Sequence, residues 1–250
     1  MAVKKLETEI QVLKVTTEVV RCTVIGRTPL IMNSMSAKAM RDLLRPKGRK
    51  TTAEKASSLK HDPVAEFVNS MYIDRANTEA ALYMPAPAFK GAAETAALDM
   101  PGTKKSEVGR LLWINGMKVP VWGRPYLYMA IVRSADMNKT PDVRTRAMLP
   151  EWCAEFECEY NTIKMRMPAV MNLFAAAGIT AGIGDFRQEK GAGNYGQFDI
   201  VEPNDPRVKA IKKAQGAKSQ LALIENPQAV DDQSQELLDW YLSEKAARGF

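Results

Sequence analysis

The sequence predicts an α+β domain, and three observations carry that expectation. The run TEVVRCTVIG at 17–26 is rich in β-branched side chains and ends in Gly, as a core strand does. The stretch EWCAEFECEY alternates without a break, with Trp152, Ala154, Phe156, Cys158 and Tyr160 on one face and the glutamates and Cys153 on the other. Two alanine-rich segments, MPAPAFKGAAETAAL and the stretch from Ala169 to Ala177, have helical composition and are followed by turn signals.

Taken in order, the first strand leads to a short helical pattern from Ser36 to Leu44, then a Pro/Gly break and a basic segment with almost no large apolar residue. Such a segment cannot bury itself and must lie outside the core. Val64, Phe67, Val68 and Met71 recur at helical spacing and predict a helix starting near Pro63; Pro87 suits the first turn of the next one. YLYMAIVRS, at 126–134, reads as a buried strand, and ADMNKTPDVRTRAMLP as the loop after it. The helix from Ala169 is expected to stop at a glycine cap, Gly178, and YGQFDIV to resume strand character. DDQSQELLDWYLSEKAARGF predicts an amphipathic C-terminal helix capped by Asp231 or Asp232, with Leu237, Leu238, Tyr241 and Leu242 on one side. This order fits one RRM-like or ferredoxin-like sandwich over 1–250, with a long basic insertion after the first strand and a helical tail at 226–250.

Cys22, Cys153 and Cys158 are odd in number and lack CxxC spacing, which points to a reducing cytoplasm rather than to a disulfide framework or zinc site. The N-terminal stretch has no apolar signal region, and no window approaches 18 apolar residues, so neither export nor a membrane partner is expected.

The charge is local. Between Lys38 and Lys60, eight cations (Lys38, Arg41, Arg45, Lys47, Arg49, Lys50, Lys55 and Lys60) face only Asp42 and Glu54, a net of +6 that equals the charge of the whole chain. A basic patch on an otherwise neutral protein is an electrostatic footprint for a polyanion. The second candidate is AGIGDFRQEKGAGNYGQFDI at 181–200, where Gly191 and Gly193 would let a sugar–phosphate backbone pass close, with Arg187 and Lys190 for charge and Tyr195 for stacking. A hairpin or bulged turn with solvated charges is the plainer reading of the same residues.

Other chemistry finds little support. GAGNYG matches G-x-G-x-x-G, but a helix precedes it and a strand follows, the reverse of a dinucleotide site, and no Walker A spacing occurs, so no cofactor is expected. His61 stands alone beside Asp62 and reads as a helix-start neighbour rather than a general base. Asp62, Asp74, Asp136 and Asp142 form no tight carboxylate pair for metal-assisted cleavage, and no His/Cys cluster offers a metal site. Binding without catalysis is the expectation.

RTPLIMNSMS after the first strand, YMPAPAFKGAAETAA opening a helix, and GIGDFRQEKGAGNYGQFDI together resemble the motifs of the repeat-associated mysterious protein (RAMP) superfamily, especially the backbone subunits of CRISPR effector complexes. PLIMNS carries neither the His nor the Gly of that family's first loop, and Ala86 and Pro87 stand where its second motif has Gly-Ser. The resemblance implies a modified RRM fold, no catalysis, and copies assembled side by side as a helical or crescent-shaped oligomer along a guide RNA, with other effector-complex subunits as further partners. It places the loop from Thr28 to Ser36, the turn from Pro85 to Lys90 and the Gly-rich loop against the RNA backbone, so that Arg27, Asn33, Ser34 and Lys90 join the candidates. The segments at about 36–75 and 135–147 would be finger-like and thumb-like projections, the latter carrying Arg144 and Arg146. RNA is favoured over single-stranded DNA; a phage DNA-binding or annealing filament, and an assembly protein that binds no nucleic acid, stay open.

Overall fold

The computed structural model describes residues 14–35, 44, 61–133, 141–190 and 193–248. Nine strands and seven α-helices appear among the described residues. β1 (Thr17–Gly26) is an inner strand of the main sheet, antiparallel to β8 (Cys153–Asn161) on one side and to β9 (Phe198–Val201) on the other. Register runs from Thr17 opposite Asn161 to Ile25 opposite Cys153, and from Thr23 opposite Val201 to Gly26 opposite Phe198. Beyond β8 the next place is split: β4 (Leu112–Ile114) pairs with its far end and β5 (Lys118–Trp122) with its near end, and β3 (Leu82–Pro85) adds an edge to β5.

Two helices complete the pattern. α2 (Ala86–Ala96) connects the insertion after β1 to the β4–β5 side, and α4 (Met167–Thr180) connects β8 to β9. They pack side by side on one face of the sheet. Strand, helix, strand, strand, helix, strand with spatial order β5-β8-β1-β9 is the ferredoxin-like interleaving of two split βαβ units. The expected α+β class is therefore what the sheet shows.

The alternation read in β8 explains the core. Ala154, Phe156, Cys158 and Tyr160 point under the helices, and Phe156 lies between Phe89 of α2, at 4.7 Å between ring centroids, and Phe174 of α4, at 5.1 Å. Cys22 and Val24 of β1 join the same cluster. The opposite face carries a smaller cluster of Ile25, Trp122 and Cys153, covered by Val208 and Ile211 of α5 (Pro206–Ala214). Aromatic pairs at these separations add to the burial of the large rings.

A second, three-stranded sheet is ordered β2-β7-β6, from Leu30–Met32, Pro141–Leu149 and Tyr126–Arg133. α1 (Pro63–Asn69) packs against β7, and α7 (Asp232–Ala247) against β6. α1 begins at Pro63 as the spacing predicts, capped by Asp62, whose carboxylate accepts from the Ala65 N–H at 3.0 Å. α7 is capped by Asp231 and buries Leu238 and Tyr241, while Leu242 is exposed. The remaining helices, α3 (Lys105–Leu111) and α6 (Ala217–Glu225), follow the Met100–Thr103 turn and the α5 corner.

The structure corrects three sequence expectations. ADMNKTPDVRTRAMLP is not wholly loop: from Pro141 it is β7, whose polar residues are tolerated because it pairs with β6 along Tyr126–Arg133. β6 is half-buried rather than buried, with Leu127 and Met129 inside and Ile131 exposed. Gly178 does not cap α4, which runs on to Thr180; it lies where the helix crosses β9, and a β-carbon there would overlap the Phe198 carbonyl. The expected helix at Ser36–Leu44 lies outside the described residues apart from Leu44.

Candidate nucleic-acid interface

The loop after β1 and the Gly-rich loop after α4 are built as one unit. Gln197 accepts from the Arg27 N–H at 2.8 Å, and its own N–H donates to the Thr28 hydroxyl at 3.0 Å. The Gly196 N–H donates to Pro29 O at 2.8 Å, and the Asp185 N–H to Ile31 O at 2.9 Å. Side chains repeat the connection: the Asn33 amide donates to Asp185 at 2.9 Å, and the Arg146 guanidinium reaches the same carboxylate at 3.5 Å from β7. The Trp152 indole N–H fixes the start of the loop by donating to Thr28 O at 2.9 Å. Ser34 continues it onto α1, its N–H donating to Ser70 O at 2.8 Å.

The second motif meets the third. The Thr95 hydroxyl of α2 donates to Glu189 at 3.3 Å, and Glu189 holds the Arg187 guanidinium at 2.8 Å. Pro87, Gly91 and Thr95 of α2, Lys105 of α3, and Gly182, Gly184 and Arg187 enclose a cleft of about 150 Å³. The first and second motifs are thus each joined to the Gly-rich loop.

Gly193 and Gly196 are required by the loop itself. A β-carbon on Gly193 would overlap the Phe186 carbonyl, and one on Gly196, at φ +70°, would overlap that of Ile183. These residues let the loop fold on itself; the close approach is within the chain. Phe186 is itself held at φ +50°. Tyr195 faces Tyr128 of β6 at 6.5 Å between ring centroids, and burial, with Tyr195 as a hydrogen-bond partner, pushes the Tyr128 hydroxyl up to about 12.

The arginines singled out from the sequence are paired within the chain. Arg27 meets Asp199 at 3.9 Å, Arg144 meets Asp142 at 3.1 Å, Arg146 meets Asp185, and Arg187 meets Glu189 while donating to Gly184 O at 2.8 Å. They order the surface as much as they charge it. Lys90 of α2 has no acidic partner among the described residues. Lys38, Arg41, Arg45, Lys47, Arg49, Lys50 and Gly191 lie outside the described residues, as does the side chain of Lys190.

The isolated acids are dispersed. Asp62 caps α1, Asp74 pairs with Lys118 at 2.7 Å, and Asp142 binds His61 at 2.9 Å as well as Arg144; Asp136 lies outside the described residues. His61 bridges Asp142 and Glu66, 2.6 Å from the latter, and so joins α1 to β7 rather than standing free at the surface. Among the described residues no group of three His, Cys, Asp or Glu could hold a metal ion, and no helix is long and apolar enough to cross a membrane.

One basic feature escaped the sequence reading. PRVKAIKKAQGAK, at 206–218, holds five cations and no acid, and folds into α5 and the start of α6 beside a groove of about 1030 Å³. Lys209, Lys212 and Lys213 at i, i+3 and i+4 were the signal that could have found it.

By its sheet order and its convergent loops the chain is a ferredoxin-like α+β protein with a second small sheet. No family model matches it, and no curated protein does. Among solved structures it is similar to Cmr6 from Pyrococcus furiosus, at 8% identity over 74% of this chain and 99% of that one, with a TM-score of 0.38. It is also similar to a chain in the type III-B Cmr-beta complex bound to cognate target RNA, at 13% identity over 74% of this chain and 59% of that one, with a TM-score of 0.39.

Proposed function

We propose that this protein binds the sugar–phosphate backbone of a single-stranded nucleic acid without reading its sequence, as a repeating, non-catalytic subunit of a ribonucleoprotein effector complex, with guide RNA as the ligand. The observation that carries the reading is the union of the three RAMP-like segments, RTPLIMNS, MPAPAFK and the Gly-rich loop, into one surface through contacts such as Asn33–Asp185 and Thr95–Glu189. The same segments also give Leu30, Met32, Phe89 and Ile183 to the core, and the polar contacts between them carry that packing out to the surface. Lys105 lines the cleft and Lys90 belongs to the same helix α2 as Pro87 and Gly91, the rim arginines add field at the cost of their carboxylate partners, and in sequence the basic segment from Lys38 to Lys60 follows shortly after Met35. Polyanion binding of this kind is driven by counterion release and falls steeply with salt.

The test is a titration of labelled uridine and thymidine homopolymers of equal length at several salt concentrations. The full chain should bind both, with RNA ahead. Lys90→Gln with Lys105→Gln should lower the slope of log K against log salt by about 1. An unchanged slope and affinity would remove this surface from the binding path.

A further inference from the structure

The groove beside α5 is the strongest feature that the motif surface does not use. It lies on the other face of the main sheet: Val24 and Ala154 point toward α2 and α4, whereas Ile25, Cys153 and Trp122 point toward Val208 and Ile211 of α5. The C-terminal end of α5 and the first turn of α6 form one wall, and Trp122, Arg124 and Tyr126 the other.

The cations lining it divide into two kinds. Lys212 sits 4.2 Å over the Trp122 ring and 2.7 Å from Glu155, and it fastens α5 to the sheet. Arg124 donates to the Ser219 hydroxyl at 2.9 Å and to Ala214 O at 3.4 Å, which closes the corner between α5 and α6. Lys209, Lys213 and Lys218 are exposed and have no acidic partner among the described residues. Glu79 is the one acidic residue lining the groove against these five cations.

We propose that this groove is a second track for the phosphodiester backbone of a single strand, separate from the motif surface. The ligand class rests on the reading above; the location does not. Free lysines are flexible point charges suited to successive phosphates without base readout, whereas the fork of the one arginine is already occupied. Lys209 and Lys213 are one helical turn apart, about 6 Å, and Lys218 follows across the corner, so three charges are laid along the groove rather than gathered at a point. The first turn of α6 adds the positive end of its dipole at Lys218 and Ser219, a further attraction for phosphate. The groove, about 1030 Å³ and open to solvent, leaves these cations accessible to a strand laid along it.

The test compares the full chain with Lys209→Gln/Lys213→Gln/Lys218→Gln, with Lys90→Gln/Lys105→Gln, and with Glu79→Gln, using labelled uridine and thymidine homopolymers, with polyglutamate as competitor. The triple variant should bind about 100-fold more weakly near 0.1 M salt, with the salt slope lowered by about 2, and Glu79→Gln should bind more tightly. Unchanged melting temperatures separate these effects from unfolding, and the gain in Glu79→Gln gives a readout that loss of fold cannot mimic. A triple variant that binds like the parent, while the Lys90/Lys105 variant is weakened, overturns the second track and leaves the proposed function standing. The reverse pattern supports the track and removes the motif surface from binding. No binding by the parent chain, or binding of polyglutamate through the groove in preference to either homopolymer, overturns the track.

Discussion

Asn33 and Asp185, 152 positions apart, are joined by a hydrogen bond of 2.9 Å, and the same carboxylate receives Arg146 from the second sheet at 3.5 Å. One side chain therefore holds together the loop after β1, the Gly-rich loop and β7. Asp185→Ala leaves the Asn33 amide and the Arg146 guanidinium without their shared acceptor. The partly exposed site limits the loss to about 1 kcal/mol, measurable by urea denaturation, but strand binding should fall with it because the surface loses its register.

Gly193→Ala and Gly196→Ala should act on folding before they act on binding. Each β-carbon meets a backbone carbonyl of the same loop, and Gly196 is also in the left-handed region. A stability loss of about 2 kcal/mol or more is expected for each, with melting temperature as the readout. A variant that keeps its stability but loses binding would restore the idea that these glycines make room for a ligand.

Gln220 holds α6 on the edge of the main sheet. Its fully buried amide donates to Val121 O at 2.8 Å and Gly123 O at 3.0 Å and accepts from the Leu82 N–H at 3.2 Å. Gln220→Leu removes the side-chain partner of three backbone groups, two of which, the Leu82 N–H and Val121 O, also face each other in the β3–β5 ladder, so about 2 kcal/mol of destabilisation is expected in denaturant titrations.

The Lys118 ammonium, hydrogen-bonded to Asp74 at 2.7 Å, and the Ala76 N–H hold the Asp74 carboxyl below its ordinary value. A depressed folded-state value means stability that is present above the usual carboxylate range, about pH 4, and lost as pH falls through the lower folded value. Asp74→Asn should therefore flatten the decline in stability below about pH 4, compared by chemical denaturation across that range.

Burial pushes the thiols of Cys22, Cys153 and Cys158 up to about 12. All three are free and buried, so the thiolate needed for alkylation is scarce. Iodoacetamide at pH 8 should label none of them in the native protein and all three in urea.

Much of the main sheet was legible because its signals are long. β1 carries ten residues of strand composition, β8 alternates throughout, and α2 and α4 have alanine-rich faces that fit closely over Phe156. β2, β3, β4 and β5 are three to five residues long, too short for a period to stand out, and are strands only because longer partners pair with them. β7 reads as loop because Asp142, Arg144 and Thr145 interrupt it; in the fold Asp142 binds His61 and Arg144, and the Thr145 N–H donates to Glu66. At the candidate interface the residue types were visible but their pairing was not. Arg27, Arg144, Arg146 and Arg187 look free in sequence because Asp199 and Asp185 come to Arg27 and Arg146 only through folding, while Asp142 and Glu189 reach Arg144 and Arg187 from two residues away.

The most direct test of nucleic-acid binding is to purify the full chain from cells at low salt and extract what accompanies it. The extract is treated separately with RNase and DNase and then sequenced. A discrete set of protected RNAs sharing a repeat-derived end is the predicted result. A preparation free of nucleic acid, or one carrying only heterogeneous DNA, would contradict the proposal of a guide-RNA ligand.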